Sequence, residues 1–400
     1  MSEKITAVLV GALGYGSSYV KSIYNMGEES PIKLVGAVNP KNPDMRSSKT
    51  FTMLEEMQVP VFSSTEDFFR ENRAELCIIS TPIALHKRQM KEALSNGCHV
   101  LCEKPTAGSL ADAEEMARMT EESGKLVGIG FQMSYSDGIQ NLKRALLSGS
   151  LGQVKSGKSI TLFPRPYSYF SGRSWAGKQF APDGTPIWDS IGNNAAAHGL
   201  HNMLFLLGET MEESAHPVSC RGQLYRANEI ETFDGVIAEF QIERQGRKIP
   251  FAFYGAHFIE ETMNPAFEIE TEKGTVVYSQ DEDAVLFIEK NGKEHTFGKA
   301  KDHKTKLLKM AEAIALRKEG KEAISLCTPR STLGHAAAVE LLNEMLPQVY
   351  CFKEEEGKEI LMKQEQPGRI VEGFGDYIRA CYEKGEVDTY EGWNRWKLRT

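Results

Sequence analysis

Short apolar runs alternate with amphipathic stretches over the first third of the chain. Residues 5–10, 32–38, 61–62, 76–80, 99–101 and 126–131 read as strands, and helical spacing marks 15–26, 84–96 and 109–123. Thr65 followed by Glu66 and Asp67 reads as a helix start, and Ser109 and Gly124 bracket the last helix of the series. Strands and helices in strict alternation predict a parallel, doubly wound sheet over residues 1–131. The rhythm then changes. A helix at 139–147 is followed by strand-like segments at 154–163, 218–225, 235–242, 248–254, 267–270, 275–279 and 284–289. Asn291-Gly292 signals a hairpin into 296–297. The pattern predicts an α+β region over 132–350 with a large, mainly antiparallel open sheet. Helices at 195–207, 303–317 and 332–345 cover one face of it. Residues 351–400 read as a C-terminal extension packing on the body, with aromatic residues Tyr377, Tyr382, Trp393 and Trp396.

Composition narrows the classes of function. The 400 residues are 41% apolar and 26% charged, enough to bury a core, and the net charge of −8 leaves no general basic surface for nucleic acid. No run reaches the roughly 18 apolar residues of a spanning helix, which predicts no membrane partner. Seven scattered cysteines without a CxxC pair, and an N-terminus without signal-peptide features, predict reduced thiols and a cytoplasmic protein.

The first chemical signal follows the first strand. Gly11-Ala12-Leu13-Gly14-Tyr15-Gly16 joins that strand to a helix, an arrangement that aims backbone N–H groups and a helix N-terminus at a pyrophosphate. Gly11 is expected to make the tight turn and Gly16 to admit close helix packing, while Leu13 stands where GxGxxG has its middle glycine. The second strand ends at Asn39, where an acidic residue often binds the ribose 2′-hydroxyl. Asparagine neither demands that hydroxyl nor repels a 2′-phosphate, and Lys41 or Arg46 could attract one, so NAD and NADP both remain open.

Two further strand ends complete a pattern. Ser80-Thr81-Pro82, with His86 four residues on, follows the fourth strand, and Glu103-Lys104-Pro105 follows the fifth. Together with Leu146–Val154 and the stretch ending Leu207-Gly208, these resemble the Gfo/Idh/MocA oxidoreductases, related to glucose–fructose oxidoreductase and inositol dehydrogenase. The resemblance implies a Rossmann dinucleotide-binding domain at 1–131, a substrate-binding and oligomerisation domain at 132–350, and a homodimer or homotetramer. It also implies that Gly11 to Gly16, Asn39, Ser80, Thr81, Pro82, His86, Glu103 and Lys104 hold the dinucleotide, with Lys104 catalytic and the peptide before Pro105 commonly cis. Where the family shows D-x-x-x-H-x-x-D, this chain has Asn194, His198 and His201, which at i, i+4 and i+7 would share one helix face. Asn194 cannot ionise, so proton transfer falls to His198, His201 or Lys104. The two histidines lack enough partners for zinc, and no metal is expected.

Arg165, Tyr169, Arg173, Trp175, Lys178 and Asp189 interleave charged and aromatic groups suited to a sugar or polyol. The expected function is an NAD(P)-dependent oxidoreductase acting on a CH–OH group of a sugar, sugar derivative or cyclic polyol. The alternatives are a glycosidase working by transient oxidation and elimination, with His201 or a tyrosine of 167–169 as its second base, and a non-catalytic dinucleotide-binding protein.

Overall fold

The computed structural model describes residues 3–39, 48–300 and 304–387. Pro40, Lys41, Arg46, Trp393 and Trp396 lie outside the described residues. Among the described residues no helix is long and apolar enough to cross a membrane.

The chain begins with β1 (Ile5–Val10), α1 (Gly16–Met26), β2 (Ile32–Val38), α2 (Lys49–Glu56), β3 (Val61–Phe62), α3 (Thr65–Glu71), β4 (Leu76–Ile79), α4 (His86–Ser95), β5 (His99–Cys102), α5 (Leu110–Ser123) and β6 (Val127–Ile129). These six strands form one parallel sheet in the order β3-β2-β1-β4-β5-β6. β1, β4 and β5 are apolar at almost every position because helices cover both faces, as parallel sheets require. One local expectation shifts by a residue: Ser64, not Thr65, caps α3, its Oγ accepting from the Asp67 N–H at 3.0 Å.

α6 (Asp137–Leu147), β7 (Val154–Leu162), α7 (Tyr167–Ser171), α8 (Ala197–Leu206) and β8 (Pro217–Arg226) come next. Then follow β9 (Gly235–Arg244), β10 (Arg247–Ala256), β11 (Met263–Thr271), β12 (Gly274–Ser279), β13 (Ala284–Glu289) and β14 (Glu294–Gly298). The hairpin between β13 and β14 turns at Gly292, whose φ of +86° suits only glycine without strain. α9 (Thr305–Lys318), α10 (Leu333–Glu344), β15 (Tyr350–Cys351), β16 (Lys358–Leu361), β17 (Pro367–Ile370) and α11 (Phe374–Lys384) complete the chain. The second sheet runs β14-β13-β12-β11-β7-β10-β9-β8-β15, antiparallel except at β7–β10 and β8–β15.

Chain segments sort into two compact units that are not contiguous. One comprises 1–107, 111–135 and 302–329; the other comprises 108–110, 136–301 and 330–400. The division at 131 and 350 expected from sequence therefore changes: α9 belongs with the parallel sheet, and the C-terminal extension with the second sheet.

The extension also alters the second sheet. Along β7 and β10, Ile160, Leu162, Ala252, Tyr254 and Ala256 share a buried cluster with Phe374, Tyr377, Ile378, Cys381 and Tyr382 of α11. The intervening residues face α8, as where Gly199 lies against Ser159 and Thr161. β10 is consequently apolar on both faces, and part of the sheet face away from α8 is roofed by the chain's own helix.

Candidate active site

In the parallel sheet, the loops after β1, β4 and β5 leave from one edge. Their alignment is set by hydrogen bonds just beyond the strands: Ser80 N–H donates to Val10 O and Glu103 N–H to Ile79 O, each at 2.8 Å. Ligands of open parallel sheets collect at such carboxyl ends. Gly11 sits at φ +86°, and a Cβ there would lie 2.5 Å from the Ser80 carbonyl oxygen. A Cβ on Gly16 would lie 1.8 Å from the Gly11 oxygen. Both glycines therefore have the roles expected of them: one makes the turn, the other lets α1 approach. Gly14, at φ +61°, has open space around it. No side chain caps α1 and no acidic residue occupies its first turn, so its positive end keeps its attraction for an anion. These features fit the pyrophosphate of a dinucleotide. Ala12 is buried, Leu13 is half-buried, and Tyr15 is exposed. Asn39 is half-buried after β2, held by its N–H to Phe62 O at 3.0 Å.

The β4 and β5 loops are stapled together. His86 is buried, its Nε2 2.9 Å from Thr81 O and its Nδ1 3.0 Å from Pro105 O. Burial pulls its pKa down against those carbonyls, so the neutral ring donates to one of the two. Thr81 Oγ1 donates to Gln89 Oε1 at 2.6 Å, which leaves Pro82 to lead into α4. The Lys104–Pro105 peptide is cis, as the resemblance implied. Lys104 is half-buried. Glu103, by contrast, is turned inward: Tyr19 Oη donates to its Oε1 at 2.6 Å, the Lys104 N–H to its Oε2 at 3.2 Å, and Lys306 Nζ forms an ion pair with it. Lys306 and Tyr19 were not anticipated from sequence. The available signal was a lysine in the first turn of α9, a helix with no acidic residue there.

The unit of the second sheet brings together a different set. The segment after β7 carries Arg165, whose N–H donates to His257 O at 3.1 Å. The Arg165 guanidinium lies 4.6 Å from the Tyr169 ring centre, and that of Arg173 lies 4.7 Å from the same ring. Trp175 meets Tyr169 edge-on at 6.2 Å. Asp189, 3% exposed, accepts from the Gly177 N–H at 2.6 Å and from Asn194 Nδ2 at 2.8 Å. Asn194 Nδ2 also donates to Tyr169 Oη at 3.2 Å, so its amide orientation is fixed and its oxygen is what it presents elsewhere. Burial, then the Asp189 carboxylate, raises the Tyr169 pKa far above neutrality. Lys178 lies at the surface, paired with Glu231 at 2.9 Å. Beside Arg173 and Lys178 opens a cleft of about 930 Å³ that Lys358 and Arg369 of the extension also line.

Two expectations change here. α8 begins at Ala197, so Asn194 stands in the turn before it and the three residues do not share one helical face. His198 is half-buried in the first turn, whereas His201 is fully buried, stacked on Phe205 at 5.7 Å and edge-on to His335 at 6.4 Å. Burial, then the neighbouring His335, drives its pKa well below the ordinary value. Asp189, expected to bind substrate, has each carboxylate oxygen accepting one hydrogen bond from within its own unit. Among the described residues no three His, Cys, Asp or Glu side chains gather as a metal site would require.

Comparisons with known proteins agree with this geometry. A family model described as an oxidoreductase family with an NAD-binding Rossmann fold matches residues 5–131. A 2,7-anhydro-N-acetylneuraminate hydratase from Mediterraneibacter gnavus is 26% identical over 194 residues, 47% of this chain and 46% of that protein. An inositol 2-dehydrogenase from Rubrobacter xylanophilus is 28% identical over 214 residues, 53% of this chain and 55% of that one. The chain thus matches about half the length of these curated relatives. The solved structure of the WlbA dehydrogenase from Bordetella pertussis with NADH and UDP-GlcNAcA shares the fold. Its TM-score is 0.66 at 19% identity, covering 86% of this chain and 97% of that one. The matched residues 5–131, about a third of the chain, include the glycine turn and Glu103-Lys104-Pro105, so this part of the chain is similar to the NAD-binding Rossmann fold of the Gfo/Idh/MocA oxidoreductase family.

Proposed function

We propose that the protein is an NAD(P)-dependent oxidoreductase acting on a CH–OH group of a sugar, sugar derivative or cyclic polyol. The observation that carries this reading is the strand-end arrangement of the parallel sheet. The glycine turn, the stapled β4 loop and Lys104 are held at one edge by 2.8 Å backbone bonds. A bound nicotinamide supplies the hydride acceptor. The residues of this chain supply the proton chemistry and orientation. Lys104 steadies the developing oxyanion with its ammonium group, and His198 removes the hydroxyl proton. Asn194, its amide clamped by Asp189, offers an acceptor of fixed direction to a substrate hydroxyl. Arg165 and Arg173 on the faces of Tyr169 present donors and an apolar surface, the pairing that carbohydrates use. The neighbouring cleft mixes Arg173, Lys178, Lys358 and Arg369 with Glu229, Glu354 and Glu359, so its lining offers both donors and acceptors to the hydroxyls of a sugar or polyol.

The hydratase among the relatives favours one second reading, a redox-neutral elimination or addition assisted by a recycled dinucleotide. That chemistry needs another base. His201 is sealed in the interior, and Tyr169 and Tyr167 keep their protons at neutral pH because burial raises their pKa values. Net oxidation is therefore the simpler reading. The test is incubation with NAD or NADP and a panel of polyols, free sugars and uronic-acid sugars, monitored by absorbance of the reduced nicotinamide. Substrate-dependent reduction abolished by Lys104→Met, with dinucleotide binding kept, supports it. Turnover of an unsaturated or anhydro sugar without net reduction would replace it with the second reading.

A further inference from the structure

We infer that Lys306 is a positioning residue of the dinucleotide half-site: the internal counter-ion that locks Glu103, and with it the Lys104 turn, to the glycine turn. This rests on the proposed roles of Lys104 and the glycine turn. Lys306 is the second residue of α9 and only 1% exposed. Both facts are unfavourable by themselves. A helix N-terminus repels a cation, and a buried ammonium is costly unless it is paired. The compensation lies entirely within the parallel-sheet unit. Lys306 Nζ forms an ion pair with Glu103 Oε1, donates to Tyr15 Oη at 3.3 Å, and lies 4.8 Å and 5.2 Å from the ring centres of Tyr15 and Tyr19. Glu103 Oε1 also accepts from Tyr19 at 2.6 Å, and Oε2 from the Lys104 N–H at 3.2 Å. The other side of the carboxylate is closed by Gly130, where a Cβ would come within 2.7 Å of Oε2.

Three donors from three separate segments thus meet on one carboxylate. Glu103 is a bracket, not a proton carrier for substrate, although the family motif places it beside the reacting lysine. Burial works against the charge on Lys306, but Glu103 and Tyr15 hold its pKa above the ordinary value, so Lys306 keeps its charge. Without Lys306, the Glu103 carboxylate has lost its compensating cation one residue from Lys104. The Lys104 ammonium is then held more tightly to its proton, and the turn loses its tie to Tyr15.

The test compares Lys306→Met, Lys306→Arg and the double variant Glu103→Gln/Lys306→Met. NADH affinity is measured by fluorescence titration, and kcat and KM are measured across pH with whichever substrate the panel yields. Lys306→Met is expected to weaken NADH binding by about threefold to tenfold and lower kcat by roughly tenfold or more. It should also move the alkaline limb of kcat upward by about half a pH unit or more, since a nearby positive charge has gone. Lys306→Arg, and in part the charge-balanced double variant, should recover the limb. A Lys306→Met protein that folds and keeps wild-type NADH affinity and pH profile overturns the inference. So does failure of both charge-removed variants to fold beside a normal Lys306→Arg, which would make the pair a stability element alone. If the wild type binds NADH but oxidises nothing in the panel, the activity reading fails, and the NADH titrations still decide the role of Lys306.

Discussion

Replacing Asp189 separates stability from orientation at the second half-site. Its carboxylate accepts two hydrogen bonds, from the Gly177 N–H at 2.6 Å and from Asn194 Nδ2 at 2.8 Å. Bonds to a charged acceptor contribute roughly 1.5–3 kcal/mol each, and donors left unsatisfied in the interior keep that cost after the acceptor is gone. Asp189→Ala should therefore destabilise the protein by about 3–5 kcal/mol, below the simple sum because the loop relaxes. The backbone carbonyl of Asp189 still accepts from Thr232, so the loop keeps one anchor. Asp189→Asn behaves differently. The Gly177 donor is backbone and cannot turn, so the new amide must give it the oxygen and point its own NH₂ at Asn194. Asn194 must then flip, accepting on its oxygen from that new NH₂ and from Tyr169, and presenting an NH₂ where it had presented an oxygen. The cost in stability should be only about 1 kcal/mol, whereas kcat/KM should fall about a hundredfold. Urea unfolding with matched m-values reads the first number and steady-state kinetics the second. Wild-type kcat/KM in Asp189→Asn would refute the role of the Asn194 oxygen, and a loss under about 1 kcal/mol in Asp189→Ala would refute the bracket.

Other outcomes follow from single observations. Gly11→Ala forces a Cβ to within 2.5 Å of the Ser80 carbonyl oxygen at φ +86°, so NADH affinity should drop by about tenfold or more as the turn shifts; unchanged titrations would contradict the turn geometry. Burial, then Arg165, lowers the His257 pKa to about 3. The folded state favours its neutral form, so this contribution is complete above the ordinary pKa of about 6.5 and is lost as pH falls toward the folded value. The slope is about 1.4 kcal/mol per pH unit. Urea midpoints measured down that range should fall less steeply in His257→Asn, and parallel curves would argue against a buried neutral ring. Phe374→Ala, at a site buried among Tyr225, Phe258 and Phe352, should cost about 3–5 kcal/mol in chemical unfolding. A neutral result would mean that α11 does not belong to the core of its unit.

The parallel sheet was legible because its signals are local. Short apolar strands, the glycine turn and Glu103-Lys104-Pro105 each carry their meaning within a few residues, and their order along the chain dictates which strand ends share an edge. The second unit was legible in strand content but not in its cover. α11 is amphipathic like many surface helices, and nothing in its pattern announces that Phe374 and Tyr382 cross back to β7 and β10. The backbone geometry was read well where the signal is local, as at Gly11, which makes the turn, and Gly16, which lets α1 approach. It was read less well where one residue displaces another: counting by helical spacing put Asn194 and His201 with His198, but α8 starts three residues after Asn194 and turns His201 inward. Lys306 escaped notice because its partner lies 203 residues away, beyond any local pattern.

The return of α9 to the parallel sheet has a consequence for how the protein is made. The ribosome releases the glycine turn, Glu103 and Lys104 early, and then roughly 170 residues pass between the end of the first segment at 135 and the start of α9 at Thr305. At about 5–20 residues per second, Glu103 waits on the order of ten seconds or longer for its cation. During that interval the nascent unit carries a carboxylate without its lysine and strands without their last helix. A dinucleotide present in the cell meets a finished cradle only after α9 has been synthesised, so cofactor capture is timed to the return of that helix and not to the first strands and turns.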